Sequence, residues 1–189
     1  MRFTVTTAPS VEPVSLAEAK EHLRVIHDDD DAYIELLITA ARAYVEEHSA
    51  RALCTQTITL KLPRFPARIE LPRPPLASVT SITYVDGDGT TQTLSSSNYR
   101  VSTSGEPGFI DPAYNISWPT TRDIADAVTV VYVAGYGAAA AVPSLVKQAI
   151  KLMVAHLYET REPVNVGNIV TEIPRAMQSL LGLISWGDR

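Results

Sequence analysis

Four consecutive aspartates, Asp28 to Asp31, follow closely on His22 and His27 and form the densest group of metal-type ligands in the chain. Carboxylates and imidazoles can hold a divalent cation that activates water, which would be the chemistry of a metal-dependent hydrolase. The spacing argues against it, because successive helix positions point in different directions and cannot converge on one ion. The run is expected to mark a helix N-terminus, where free N–H groups and partial positive charge favour carboxylates, and to stay in solvent. Asp86-Gly87-Asp88-Gly89 opens like a calcium loop, but Thr90, Thr91 and Ser97 occupy the fifth, sixth and twelfth places. Such a loop has glycine at the sixth and glutamate at the twelfth, so a hairpin turn is expected instead. His156 and Glu159 lie one helical turn apart and form a conceivable acid–base pair; a polar contact on a helix surface or between subunits is the plainer reading. His22, His27, His48 and His156 show no His-Glu-x-x-His spacing, and there is no Gly-x-Ser-x-Gly elbow, phosphate loop or cysteine pair. Cys54, the single cysteine, has no evident base and is expected to be a small buried hydrophobe at a helix–strand junction. No catalytic, cofactor-binding or metal residue is assigned, and the chain is expected not to be an enzyme.

The elements that must position these residues change period twice along the chain. A first helix is expected from Ser15 to about Val25, with Ser15 and Glu18 as a capping box and Leu16, Ala19, Leu23 and Ile26 as its apolar stripe. A second runs from the aspartates to about Leu53, with Ile34, Leu37, Ile38, Ala41, Val45 and His48 on one face. Between about Thr55 and Tyr136 the period becomes two. Ile58, Leu60 and Leu62 alternate with polar residues, Val79–Val85 and Thr90–Leu94 flank the Asp86–Gly89 turn, which is expected to be type I′, and Asn98–Ser102 and Val128–Val133 also read as strands. Many of the 13 prolines fall here and mark loops and edges. A third helix is expected from about Pro143 to Thr160, with Val146, Ala149, Ile150, Met153, Val154 and Leu157 as its stripe, and a fourth after Pro174. The fold class is therefore α+β: a small bundle of about four helices, residues 1–54 and 137–189, with a β-rich insertion, residues 55–136, between helices two and three.

Composition narrows the function further. The chain has 189 residues, 46% hydrophobic, enough for a folded core. Its formal net charge of -5, with no basic run, lacks the footprint of a free-standing DNA binder. The most apolar stretch, around Val128–Val142, contains two glycines and ends at Pro143, too short and broken for a membrane span. The first residues lack the apolar core of a signal peptide, so a soluble intracellular protein without disulfides is expected.

Several segments, taken in order, resemble one family. Pro13-Val14-Ser15-Leu16-Ala17-Glu18-Ala19-Lys20-Glu21-His22-Leu23-Arg24-Val25 is similar to its opening, and Asp29–Ile34 with Leu37-Ile38 and Ala40-Ala41-Arg42 to its second helix. Arg51-Ala52-Leu53 with Gln56-Thr57 resembles its junction into strands. Val131–Gly137 followed by Val142-Pro143 and Val146–Ile150 resembles its return to helix, and Ile173-Pro174 with Leu180-Leu181 its closing helix. The chain thus resembles the head–tail connector (adaptor) proteins of long-tailed bacteriophages, in the subgroup with a β-rich middle. It departs from them at its end, where Gly182-Leu183-Ile184-Ser185-Trp186 replaces the usual Pro-Tyr-Arg close.

The resemblance implies a structural subunit that forms a ring with copies of itself, commonly twelve, between the portal protein and a tail or neck completion protein. DNA would pass through the lumen without specific binding, no membrane would be involved, and the protein would assemble in the bacterial cytoplasm before residing in the virion neck. Another neck or tail-completion protein is the alternative. The residues expected to meet a partner are Val164, Val166, Ile169 and Val170 in the long loop Arg161–Ile173, and Leu180, Leu181 and Trp186 at the end. Apolar side chains in a loop of that length are costly to leave in water. Trp118 is a further candidate anchor, unless it covers the sheet.

Overall fold

The computed structural model describes residues 2–160 together with Ser179, Leu180, Gly182, Leu183 and Ser185. In chain order its elements are β1 (Arg2–Thr7), α1 (Leu16–Leu23), α2 (Asp31–Ser49), β2 (Gln56–Leu62), β3 (Ile69–Leu71), β4 (Leu76–Val85), β5 (Thr91–Thr93), β6 (Tyr99–Ser102), β7 (Gly108–Pro112), β8 (Val128–Ala134) and α3 (Ser144–Glu159). They form two units. One comprises Met1–Ser10 and Cys54–Gly137, the other Val11–Leu53 and Ala138–Arg189.

In the helical unit, α1 begins as its sequence predicts. The Glu18 N–H donates to Ser15 Oγ at 3.2 Å, and the Ser15 N–H donates to Glu18 Oε2 at 2.8 Å. The hydrogen bonds to Ser15 hold the Glu18 carboxyl below its ordinary range. The helix stops at Leu23 because Arg24 turns left-handed, φ 59°. The expected stripe is corrected accordingly: Ala19 is buried, Leu16 and Leu23 are half-buried, and Ile26, beyond the turn, is 96% exposed. In α2, Ile34, Leu37, Ile38, Ala41 and Val45 are buried as expected. His48 is exposed; Ser49 takes the buried place and donates its hydroxyl to the Val45 carbonyl at 2.6 Å. The helix ends four residues before Leu53, with Ala50 left-handed at φ 53°. Val146, Ala149, Ile150, Met153 and Val154 form the buried stripe of α3, while Leu157 is half-buried. All three helices pack on one another.

Three helices are thus described, not four. Of the segment expected to be the fourth, Ser179, Leu180, Gly182 and Leu183 are helical. The rest of it, and the loop Arg161–Ile173, lie outside the described residues.

The sheet unit contains a five-stranded antiparallel sheet, order β1-β2-β8-β4-β5, and a three-stranded one, order β3-β7-β6. Alternation in β2 and β8 puts Ile58 opposite Tyr132, Leu60 opposite Val130 and Leu62 opposite Val128, all on the buried face. Tyr132 donates its hydroxyl to the Pro72 carbonyl at 2.7 Å, and burial pushes its phenol pKa up. Three strands, β1, β3 and β7, have no counterpart in the sequence reading. The last two are short and lie among prolines and glycines.

The hairpin tip is exposed, but its turn differs from the type I′ expected. The Gly89 N–H donates to the Asp86 carbonyl at 3.0 Å, and Gly89 alone of the two glycines has positive φ, 90°. This fits a type I turn closed by a left-handed glycine bulge. Asp86 Oδ1 accepts the Asp88 and Thr90 N–H groups, and Oδ2 accepts from Gln92; the Gln92 amide, then the backbone donors, hold its carboxyl below the ordinary range. The hydrogen bonds within the turn supply what the second left-handed residue would have supplied.

Candidate assembly surface

The aspartate run disperses. Lys20 Nζ donates to Asp28 Oδ1 at 2.7 Å and to Asp31 Oδ1 at 2.6 Å, tying the end of α1 to the start of α2. These hydrogen bonds raise the Lys20 pKa, and the one to Lys20 lowers that of Asp28. Asp30 holds the N-cap position of α2 but makes no cap bond; it accepts from the Tyr158 hydroxyl on α3. Asp29 lies 3.7 Å from His27 Nδ1. Among the described residues no three His, Cys, Asp or Glu come together in a way that could hold a metal ion. His156 is half-buried and Glu159 exposed. Cys54 is fully buried.

A second network was not anticipated. Arg42 Nε donates to Glu12 Oε2 and Arg42 Nη1 to Glu46 Oε2, both at 2.7 Å. Glu46 Oε1 accepts the Leu53 N–H at 2.9 Å. One carboxylate thereby pairs with the arginine and satisfies the backbone just after α2 ends, which a free turn could not do in a buried place. The only sequence signal is the i, i+4 spacing of Arg42 and Glu46. Both networks tie parts of the helical unit together.

Exposed apolar side chains are the remaining candidates for partner contact. In the helical unit Leu36, Leu145, Ile26 and Leu183 are exposed, and a groove is lined by Val11, Val14, Leu16 and Ile38 together with Glu12 and Glu35. In the sheet unit Phe3, Val5, Val101, Tyr114, Ile116 and Ile124 are exposed. Trp118 stacks on Phe65, with ring centroids 4.9 Å apart, and its Nε1–H donates to the Ala67 carbonyl at 3.4 Å; Phe65 and Ala67 both lie in the loop between β2 and β3. Of the residues expected to meet a partner, Leu180 is half-buried; Val164, Val166, Ile169, Val170, Leu181 and Trp186 lie outside the described residues. Phe3 and Val5 were legible as an apolar–polar alternation, Phe3-Thr4-Val5-Thr6, that the sequence reading did not use.

Residues 13–101 match the family of phage gp6-like head-tail connector proteins. No curated protein matches the chain. Among solved structures, the chain is similar to one from the neck of an empty gene transfer agent (GTA) particle computed with C6 symmetry: TM-score 0.80, 25% identity, covering 98% of this chain and 95% of that one. A chain in the virion of the native particle gives 0.80 and 24%, and one in the native neck computed with C12 symmetry gives 0.78 and 24%, each with the same coverage. The last two establish a shared fold.

Proposed function

We propose, starting from the relation of this chain to the phage gp6-like head–tail connector proteins, that it is a head–tail connector (adaptor) subunit in the neck of a tailed phage or phage-like particle. The observation that carries this reading is the whole-length likeness to a chain of a particle neck, 98% of one chain against 95% of the other, with the connector match running through α1, α2, β2 to β5 and most of β6. The role is structural, not enzymatic.

Copies of the chain form a closed ring, commonly of twelve; necks of similar fold computed with C6 and C12 symmetry support it. A ring needs a heterologous contact whose rotation closes. The portal protein lies on one side and a tail or neck completion protein on the other. DNA passes through the lumen, and a subunit of net charge -5 suits a channel wall to which the phosphate backbone does not adhere. Assembly takes place in the bacterial cytoplasm, and the protein ends in the virion neck. In this reading residues 55–136, joined by the β1 strand, are a β-rich insertion in a connector domain made of the rest of residues 1–54 and 137–189, closed by a fourth helix. Val164, Val166, Ile169, Val170, Leu180, Leu181 and Trp186 order against the neighbouring subunit or the portal, at an entropic cost that the partner's surface offsets.

Deletion of the gene, followed by electron microscopy of the particles, tests this. The expected result is filled heads and free tails that a copy of the gene restores to joined particles. Joined particles without the gene would refute the role. A copy lacking residues 164–170 is expected to leave the described units folded and heads unjoined; normal particles from it would remove that loop from the mechanism.

A further inference from the structure

The ring reading leaves open which surfaces join one copy to the next, and the sheet unit contains two edges with matching defects. Strand β1 ends the five-stranded sheet, and all six of its residues are exposed. Its register places Phe3 opposite Leu60 and Val5 opposite Ile58, and both partners are fully buried. Phe3 and Val5 therefore continue the core face of the sheet, yet remain 37% and 48% exposed. Strand β6 ends the three-stranded sheet and repeats the pattern. Val101 lies opposite the fully buried Ile110, shares that core face, and is 39% exposed. The other two sheet ends lack this signature: Ile69 and Leu71 of β3 are buried, and β5 is Thr-Gln-Thr with no apolar residue.

Along the outer side of an antiparallel edge strand, alternate residues turn both backbone groups away from the sheet. Proteins protect such edges with proline, inward charges or coverage. Past Arg2, which pairs with Asp126, β1 has neither proline nor charge; its register slips once, between Val5 and Thr7, and among the described residues no strand lies beyond it. We infer that β1 of one subunit pairs with the β6 edge of the next, adding a strand across the subunit boundary and bringing Phe3 and Val5 against Val101. The two edges are different surfaces, so the contact is head-to-tail and repeats around a ring, whereas β1 against β1 would close as a dimer. Main-chain hydrogen bonds supply the joint, and the apolar contacts set its register. On the opposite face Arg100 meets Thr4 and Thr6, which carry no charge to repel it. This inference rests on the connector reading.

The test uses the full chain with Val5→Cys and Val101→Cys, supplied to particles that lack the native gene and treated with a short bis-maleimide. Cys54 is fully buried, so it does not compete. Covalent multimers of this chain, in a ladder that needs both cysteines, are expected. Either cysteine alone should give no more than a monomer, with unchanged circular dichroism to show that the fold persists. Normally joined particles in which both cysteines stay open to a maleimide, or link only to a different neck protein, would overturn the pairing while leaving the connector reading in place. Absence of the chain from joined particles would overturn both.

Discussion

In the helical unit, the buried stripes of α2 and α3 close on one another and Arg42 joins Glu12 to Glu46. In the sheet unit, the same work is done by alternation in β2 and β8 and by backbone shapes that few residues can adopt, Gly89 and Gly135 with positive φ among them. The helices satisfy nearly all backbone groups locally, whereas a sheet leaves its last strands half-paired. The most available backbone of the sheet unit thus lies in edge strands such as β1 and β6, where the proposed joint between copies falls.

The contrast can be broken at several points. The largest expected effect is at Arg42, whose side chain is 11% exposed. Arg42→Ala removes the cation that Glu12 and Glu46 share and should cost about 3–5 kcal/mol in chemical denaturation. Replacing both Arg42 and Glu46 by apolar residues should not restore full stability, because the Leu53 N–H then loses its acceptor. Ile150→Ala, in the fully buried stripe of α3, should cost about 2–5 kcal/mol by the same measurement. A loss below 1 kcal/mol would mean the helical core is not as described.

In the sheet unit the sensitive position is a glycine. A Cβ on Gly135, φ 119°, would lie 2.4 Å from the Cys54 carbonyl oxygen. Gly135→Ala should cost about 2–4 kcal/mol from strain and crowding. Gly87→Ala should change stability by less than about 0.5 kcal/mol, since that residue has open space and no positive φ. Equal effects at Gly135 and Gly87 would contradict the crowding at the first and the open space without positive φ at the second.

The smallest effect is electrostatic. Lys20 holds the Asp28 carboxyl below its ordinary value of 3.8. A carboxylate depressed in the folded state contributes stability above its unfolded pKa and loses it as pH falls through the folded one. Asp28→Asn should therefore lower the melting temperature slightly at neutral pH and make no difference in strong acid. At the alkaline end, Lys20 is raised above 10.5, so its contribution is present below that pH and fades as pH rises through the folded value. A difference between variant and native protein that does not shrink on acidification would remove this ion pair from the account.

How much was legible follows from where the information lies. The capping box at Ser15 and Glu18, the α2 stripe from Ile34 to Val45 and the alternation in β2 are local patterns, and each appears in the structure. The end of α2 was misplaced because Glu46 reaches seven residues along the chain to Leu53, a contact that periodicity does not encode. Strands β3 and β7 have three and five residues and find each other only through tertiary pairing. The aspartates were read as solvated caps; Lys20 and Tyr158, distant in sequence, take three of them. The apolar residues of β1 were visible, but their meaning depends on strand order, which no local pattern supplies.

The most direct test of the central claim is a cryo-electron microscopy reconstruction of the neck of the intact particle, made without imposed symmetry. The account predicts a closed ring of copies of this α+β fold between the head and the tail, around the DNA channel. A neck whose rings are all built from other folds, with this chain located elsewhere or absent, would contradict it.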